Sequence, residues 1–450
     1  MTLNQTLIVA LLLGLTVTSG AATSLCVSDM TRCVCNVMAI LNPPSLECFF
    51  ASELELRDGK LGVGLSEMHI FDIDPTSIQF FHMDKLIFYN VTISSSFISE
   101  VIPLLSQLNL NKMNIISSTL EVAQPLEYPE LKEASTIKSL LLEDVTVDPS
   151  LLQPSFQALH RWLFGSLESL VLVRSGPVQI DCNWAGRVEN LTRLDLSENL
   201  ISFTSLQNIL HCSSLSFKYL KSLRLRLSNL TSLQSLCTLL SLTPALTELD
   251  VSRNNFSTIH YPHCFQVTPL RMLNLSHSGI TEINSLLNTS LEELDLSFNS
   301  LEVFNDPPQT LKKLNLSNNR LIRLSSLNNL FQLQELKVDS NQLTVLINET
   351  AGVSLSTLEK LVFLHAGRNP YQCHSALNET IVFLDNAGSV FVEDYPEEFL
   401  CASPVDLQGT QIMNLSPETS VKPTSGTQCG GSPLCLTLFM SLLLCLIYFC

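Results

Sequence analysis

Five segments of the chain repeat one spacing of leucine and asparagine, and this spacing decides the fold. They are LTRLDLSEN (191–199), LTELDVSRN (246–254), LEELDLSFN (291–299), LKKLNLSNN (311–319) and LQELKVDSN (333–341). A sixth copy, LRMLNLSHS (270–278), has serine at the asparagine position. Side chains alternate along a strand, so the central L-x-L predicts a short strand with both leucines on one face. The asparagine predicts a turn in which its amide bonds backbone groups of that turn and of the next repeat.

A single copy cannot bury its own leucines, so neighbouring copies must stack side by side. The spacing therefore predicts an α/β leucine-rich-repeat solenoid, curved, with a parallel β-sheet on its concave face and about thirteen strands over residues 51–369. Both open ends of such a solenoid need a cap. Looser copies of the repeat begin near Ala51, Met83, Leu105, Ile137, Leu167, Leu220 and Leu361.

The cysteines lie where the two caps are expected. Four of them precede the first strand, within a cap over residues 21–50, and two follow the last strand, within a cap over residues 370–412. Without the C-terminal tail the count is even, which is typical of a disulfide framework in an oxidising compartment. No C-x-x-C pair precedes the tail, which disfavours a metal site. The ten cysteines are Cys26, Cys33, Cys35, Cys48, Cys182, Cys212, Cys237, Cys264, Cys373 and Cys401.

Both ends of the chain are apolar. LIVALLLGLTV (7–17), followed by small residues, predicts a secretory signal peptide over residues 1–20, with a buried N-terminal helix as the alternative. Residues 413–433 form a polar stalk rich in small residues, and residues 434–450 are apolar to the end. This order favours a removed tail and a lipid anchor at Ser425 or Gly426, with a short spanning helix as the alternative. The expected location is the extracellular side of the cell surface, and shedding of a soluble form is left open.

Composition excludes several classes of protein. There are 25 Lys and Arg residues against 42 Asp and Glu residues, and the resulting net charge of −17 argues against nucleic-acid binding. No G-x-S-x-G, H-E-x-x-H or P-loop motif occurs, so neither an enzyme nor a cofactor is predicted. Dense glycosylation motifs favour a secreted glycoprotein. The candidate sites are Asn90, Asn190, Asn229, Asn255, Asn274, Asn288, Asn315, Asn348, Asn378 and Asn414.

The N-terminal fifth of the chain is rich in phenylalanine, including Phe49 and Phe50. Two interpretations fit this composition: a capping core that needs large side chains, or an open apolar pocket that takes acyl chains. Composition alone favours the capping core.

Two parts of the chain resemble known families. CVSDMTRCVCN (26–36), with Cys48, and the stretch LLEDVTVDPSLLQPSFQALHRWLFGSLESLVLVRSGPVQIDC (141–182) resemble the monocyte differentiation antigen family of lipid-anchored lipopolysaccharide co-receptors. Residues 191–401 resemble Toll-like receptor ectodomains as closely as they resemble the first family.

The first resemblance implies disulfides Cys26–Cys35, Cys33–Cys48, Cys182–Cys212 and Cys237–Cys264, while position alone pairs Cys373 with Cys401. It also implies an N-terminal hydrophobic pocket that carries acylated microbial lipid to Toll-like receptor complexes. The pocket candidates are Phe49, Phe50, Ala51, Leu54, Leu61, Val63 and Leu65.

The expected function is binding and transfer of a microbial lipid, with a Toll-like receptor complex as partner and a lipid anchor in the membrane. A homodimer is left open. The alternative is a decoy or adhesion receptor that binds proteins on its concave face, with Asp195, Asp250, Asp295 and Lys337 as candidates. Glycans at Asn274 and Asn315 would obstruct that face.

Overall fold

The computed structural model describes twenty segments of the chain. They are residues 26–29, 31–37, 51–62, 83–98, 109–122, 135–148, 151, 162–176, 188, 190–199, 217–232, 237, 240–241, 243–256, 268–283, 290–347, 358–374, 377–385, 388 and 390–415. Several predictions lie outside these residues: the signal peptide, the apolar tail, Cys48, Phe49, Phe50, Val63, Leu65, Cys182, Cys212, Cys264, Asn288, Asn348, Ser425 and Gly426.

One sheet of eighteen strands runs through the described residues, and every pairing in it is parallel except β1 with β2. This sheet and its capped ends confirm the predicted leucine-rich-repeat solenoid. A separate parallel pair, β18 (Tyr371–Gln372) and β20 (Cys401–Ser403), and the helix α1 (Asn378–Asp385) lie in the C-terminal cap. The strands of the main sheet are β1 (Cys26–Ser28), β2 (Arg32–Asn36), β3 (Glu53–Leu61), β4 (Lys85–Ser94), β5 (Lys112–Ile116), β6 (Thr119–Glu121), β7 (Ser139–Glu143), β8 (Thr146–Val147), β9 (Ser169–Val173), β10 (Arg193–Asp195), β11 (Ser222–Arg224), β12 (Glu248–Asp250), β13 (Met272–Asn274), β14 (Glu293–Asp295), β15 (Lys313–Asn315), β16 (Glu335–Lys337), β17 (Phe363–His365) and β19 (Phe391–Glu393).

The sheet register aligns one leucine from each repeat into a buried column. From β9 to β17 its members are at most 4% exposed, and burial of each side chain contributes about 1.5–3 kcal/mol. The looser copy expected near Leu105 begins instead at Leu110, which is followed at the repeat spacing by Met113 and Ile115. The column consists of Leu170, Leu194, Leu223, Leu249, Leu273, Leu294, Leu314, Leu336 and Leu364.

The asparagines form a second column, buried except at the half-buried Asn299, which joins each repeat to the one before it. In Asn254, Oδ1 accepts the backbone N–H groups of Ser228 and Leu230, both at 3.0 Å. Its Nδ2 donates to the carbonyls of Leu225 at 2.8 Å and Val251 at 2.7 Å. The prediction of bonds to the next repeat was therefore wrong in direction, because the amide reaches back to the preceding turn. The same arrangement recurs at Asn199, Asn299, Asn319, Asn341 and Asn369.

The N-terminal part of the sheet is built differently from the rest. Its strands β3 and β4 have nine and ten residues, against three in each strand from β10 to β17. Serine replaces asparagine at the turn: Ser175 Oγ lies 2.9 Å from the Val173 carbonyl and 3.1 Å from the Leu142 carbonyl. Because a hydroxyl has only one hydrogen to donate, these turns are held by fewer bonds.

Disulfides hold the described ends of the solenoid. Cys26 is bonded to Cys35 within the β1–β2 hairpin, and Cys373 to Cys401 in the C-terminal cap. Cys33 and Cys237 are also disulfide-bonded, to partners outside the described residues. Among the helices that the structure describes, none is both long and apolar enough to cross a bilayer.

Candidate binding surfaces

Three of the predicted pocket residues lie in the described part of β3 and just before it. Ala51 and Leu61 are 6% and 1% exposed and pack in the continuous core of the solenoid. Leu54 is half-buried against the same core, between Cys33 of β2 and Leu86 of β4. These positions give Ala51 and Leu61 a structural role, so Leu54 is the described candidate whose side chain retains accessible surface.

Gly62 follows the last residue of β3 and has a backbone conformation that requires glycine. Its φ of +101° lies in the region that L-residues with side chains rarely adopt. A Cβ atom there would lie 1.6 Å from Ser94 Oγ, so a close approach of two segments also requires glycine. The end of β3 therefore depends on a position that only glycine can occupy.

The concave face from β4 to β9 carries apolar side chains that the sequence pattern did not single out. Tyr89 is 41% exposed, and Ile116, Leu141, Val171 and Val173 are half-buried. The register places Leu141 beside Val171 and Ile116 beside Tyr89. Glu143 of β7 lies between Ile116 and Val173. We call this set of five side chains the concave apolar stripe. It offers an apolar surface in the half of the solenoid that contains the pocket candidates.

A buried carboxylate lies at the N-terminal end of this face. The side chain of Glu55 is 3% exposed and bonds the guanidinium groups of Arg32 and Arg57. Burial by itself raises the pKa of Glu55, but the hydrogen bonds and charges of the two arginines outweigh it and hold the pKa below its ordinary value of 4.5. Arg57 also lies over the ring of Tyr89, 5.1 Å from its centroid.

The aspartates proposed for protein binding have structural roles. The Oδ1 atoms of Asp195, Asp250 and Asp295 accept the backbone N–H two residues onward, at 3.0, 3.1 and 2.9 Å. Lys337 pairs with Glu335 at 3.2 Å and lies over the ring of Phe363.

Two glycosylation candidates occupy the same column as these aspartates. The Oδ1 atoms of Asn274 and Asn315 accept the N–H groups of Ser276 at 3.0 Å and Ser317 at 3.1 Å. The Nδ2 of Asn315, which would carry a glycan, donates to Asp295 at 3.2 Å. Glycans on these two residues would project from the concave face.

One cluster of potential metal ligands occurs among the described residues. The Sγ atoms of Cys26, Cys33 and Cys35 lie within 4.8 Å of one another. All three sulfurs are in disulfides, so none is a free thiolate that could bind a metal.

Comparison with known proteins supports the Toll-like-receptor part of the resemblance. A family model described as Leucine Rich repeat matches residues 287–302, around β14. The chain is 27% identical to Toll-like receptor 2 of Bison bison over 414 residues, which cover 89% of this chain and 49% of the relative. It is 27% identical to Toll-like receptor 2 of Bos taurus over 82% of this chain and 45% of the relative, and 26% identical to Toll-like receptor 2 type-1 of Gallus gallus over 80% and 44%. The chain therefore spans about half the length of these curated relatives.

Two solved structures are similar in part. One contains the leucine-rich-repeat protein FLRT2 in an octameric complex with Latrophilin 3 and Unc5D, at a TM-score of 0.47 and 20% identity over 74% of this chain and 89% of that chain. The other is an internalin from Listeria monocytogenes, at a TM-score of 0.49 and 19% identity over 76% and 86%. Membership of the monocyte differentiation antigen family stays a prediction.

Proposed function

We propose that this protein is a lipid-anchored, cell-surface co-receptor of innate immunity that binds acylated microbial lipid, lipopolysaccharide or lipopeptide, and delivers it to a Toll-like receptor complex. The observation that carries the proposal is the similarity to Toll-like receptor 2 over 89% of the chain. Binding and transfer fit a leucine-rich-repeat surface that has no recognised catalytic motif in its sequence.

The concave apolar stripe supports an apolar ligand. Large side chains that are partly exposed on a sheet face lose hydration favourably when an acyl chain covers them. The cations Arg32 and Arg57 lie at the N-terminal end of the same face, about 44% exposed, and would suit an anionic headgroup.

Lipid binding is tested with Phe49→Asp and Phe50→Asp in the full chain. We expect each change to weaken the binding of fluorescent lipopolysaccharide or lipopeptide by at least about tenfold, because a carboxylate in an acyl-chain pocket loses its hydration. Secretion and cell-surface amount should be unchanged. The matched control is Phe331→Asp, at a side chain that is 54% exposed in another part of the solenoid. Equal binding by all three variants would contradict the pocket assignment.

The alternative, protein binding on the concave face, is favoured by charged side chains that have no ion pair with another described residue. Arg193, Arg224 and Glu248 lie on β10, β11 and β12 and are exposed or half-buried. Such charges suit a partner protein by electrostatic complementarity.

Glycan occupancy separates the two proposals. If the lipid proposal is right, we expect mass spectrometry of tryptic glycopeptides to find glycans on Asn274 and Asn315, since neither would obstruct an N-terminal site. Two unoccupied sites, together with no lipid binding, would instead favour a protein partner on the concave face.

A further inference from the structure

A groove of about 530 Å³ lies along the edge of the sheet at which the chain enters strands β7, β9, β10, β11 and β12. None of its lining residues belongs to the concave apolar stripe or to the predicted lipid pocket, so a ligand in this groove would be independent of the proposed function. Its lining residues are Lys138, Ser166, Glu168, Asn190, Thr192, Lys218, Tyr219, Lys221 and Ala245.

The groove is positively charged in a strongly acidic chain. Three lysines line it against one glutamate, while the whole chain has a net charge of −17. Lys138 lies 3.2 Å from Glu168, which offsets one of the three positive charges. Lys218 and Lys221 form no ion pair with another described residue. A recess lined by unpaired cations concentrates anions near it.

The polar wall of the groove is held in place by the backbone of the preceding repeats. Ser166 Oγ donates to the Ile137 carbonyl at 2.9 Å, and Thr192 Oγ1 donates to the Glu168 carbonyl at 3.0 Å. Asn190 Nδ2 donates to the Gly165 carbonyl at 3.0 Å. These bonds use hydrogens of the three side chains and leave their oxygen atoms as acceptors, which suit the hydroxyl groups of a ligand.

Tyr219 adds a flat aromatic surface. Its side chain is 59% exposed and lies between Lys218 and Lys221 in the sequence. An exposed aromatic ring beside hydrogen-bonding groups suits a ligand that is apolar on one face and polar at its edge, as a sugar ring is.

We propose that this groove binds an anionic saccharide. Its sulfate or phosphate group lies between Lys218 and Lys221, a sugar ring packs on Tyr219, and hydroxyl groups donate to Asn190 and Thr192. The combination of unpaired cations, fixed acceptors and one exposed ring matches this class better than an acyl chain, which needs an apolar lining.

The proposal is tested by fluorescence anisotropy with the full chain and two labelled probes, a sulfated heparin-derived hexasaccharide and a phosphorylated mannose hexasaccharide. We expect saturable binding of at least one probe, and whichever binds identifies the anion. The double change Lys218→Glu with Lys221→Glu should weaken binding by at least about tenfold, because attraction becomes repulsion. Tyr219→Ala should weaken it severalfold, and binding should fall as salt rises.

The matched control is Lys312→Glu, which reverses an exposed lysine at the same strand-entry position outside the groove, where it pairs with Glu292. Its binding should equal that of the unchanged chain. A desulfated hexasaccharide that binds as tightly as the sulfated one would overturn the proposal. Equal losses of affinity in the groove variants and in Lys312→Glu would overturn it as well.

Asn190 is also a glycosylation candidate, so the measurement is repeated with Asn190→Gln. Failure of both proteins to bind either probe overturns the proposal. Binding by the Asn190→Gln protein alone also overturns it, because the groove of the natural protein would then be covered by the chain's own glycan.

Discussion

Replacing Asn341 with alanine is expected to lower the free energy of unfolding by about 2–4 kcal/mol, because it leaves several buried backbone groups without partners. Asn341 is 3% exposed. Its Oδ1 accepts the Leu321 N–H at 3.0 Å, and its Nδ2 donates to the carbonyls of Leu316 at 2.9 Å and Val338 at 3.1 Å. Alanine fills none of these roles, and water cannot easily reach a turn that is buried between two repeats.

The control for this change is the next residue, Gln342→Ala. The side chain of Gln342 is exposed, and its backbone N–H, which the change preserves, donates to Leu321 at 2.9 Å. We expect Gln342→Ala to change the unfolding free energy by less than about 0.5 kcal/mol. Urea unfolding followed by circular dichroism measures both variants. If Asn341→Ala and Gln342→Ala lowered the unfolding free energy by similar small amounts, the asparagine column would contribute little to stability.

Asn341→Ser is informative because serine occurs naturally at this position in another repeat. Ser278 Oγ donates to one carbonyl, that of Ser276, at 3.1 Å. The free energy of unfolding of Asn341→Ser should therefore lie between that of Asn341→Ala and that of the unchanged chain.

The regular repeats could be predicted because the residues that determine each strand and its turn lie within one short stretch of sequence. In LEELDLSFN the leucine spacing locates β14 and the asparagine locates its turn, without knowledge of any other repeat. The Asx bond of Asp295 could also have been found from sequence, since Asp or Asn two residues before Ser recurs in several copies. That signal would have assigned Asp195, Asp250 and Asp295 to turns and not to a binding face.

The concave apolar stripe could not be predicted in the same way. Strands such as SLLLE (β7) and SLVLV (β9) are apolar at consecutive positions, so alternation does not tell the inner face from the outer one. The strand ELELRDGKL (β3) poses a similar problem, because Glu53 and Glu55 lie on the same face and look equivalent. The register pairs Arg32 of β2 with Glu53, yet the Arg32 side chain reaches across to Glu55. Only the side-chain arrangement therefore shows that Glu55 is buried while Glu53 is half-buried.

Replacing Glu55 with glutamine is expected to loosen the junction between the N-terminal hairpin and the first repeat. The carboxylate bonds Arg32 from β2 and Arg57 from its own strand, so its loss removes two charge-assisted bonds at this junction. Breaking a fully buried ion pair costs about 3–5 kcal/mol, and because both arginines are almost half exposed we expect about 2 kcal/mol here. Glu53→Gln is the matched control, since Glu53 is 34% exposed and pairs with Lys85 at 3.4 Å. Its expected cost is less than about 0.5 kcal/mol.

The pH dependence gives a second, independent measurement of the same contact. The folded-state pKa of Glu55 lies below its ordinary value of 4.5, so the carboxylate stabilises the fold above that value. This contribution is lost as pH falls through the folded-state pKa. The difference in stability between the unchanged chain and Glu55→Gln should therefore be largest near neutral pH and shrink in acid. Hydrogen exchange of the β2 and β3 amides, followed by mass spectrometry, reports opening at this junction without requiring the whole solenoid to unfold. A difference that stays constant with pH would mean that Glu55 acts through its shape and not through its charge.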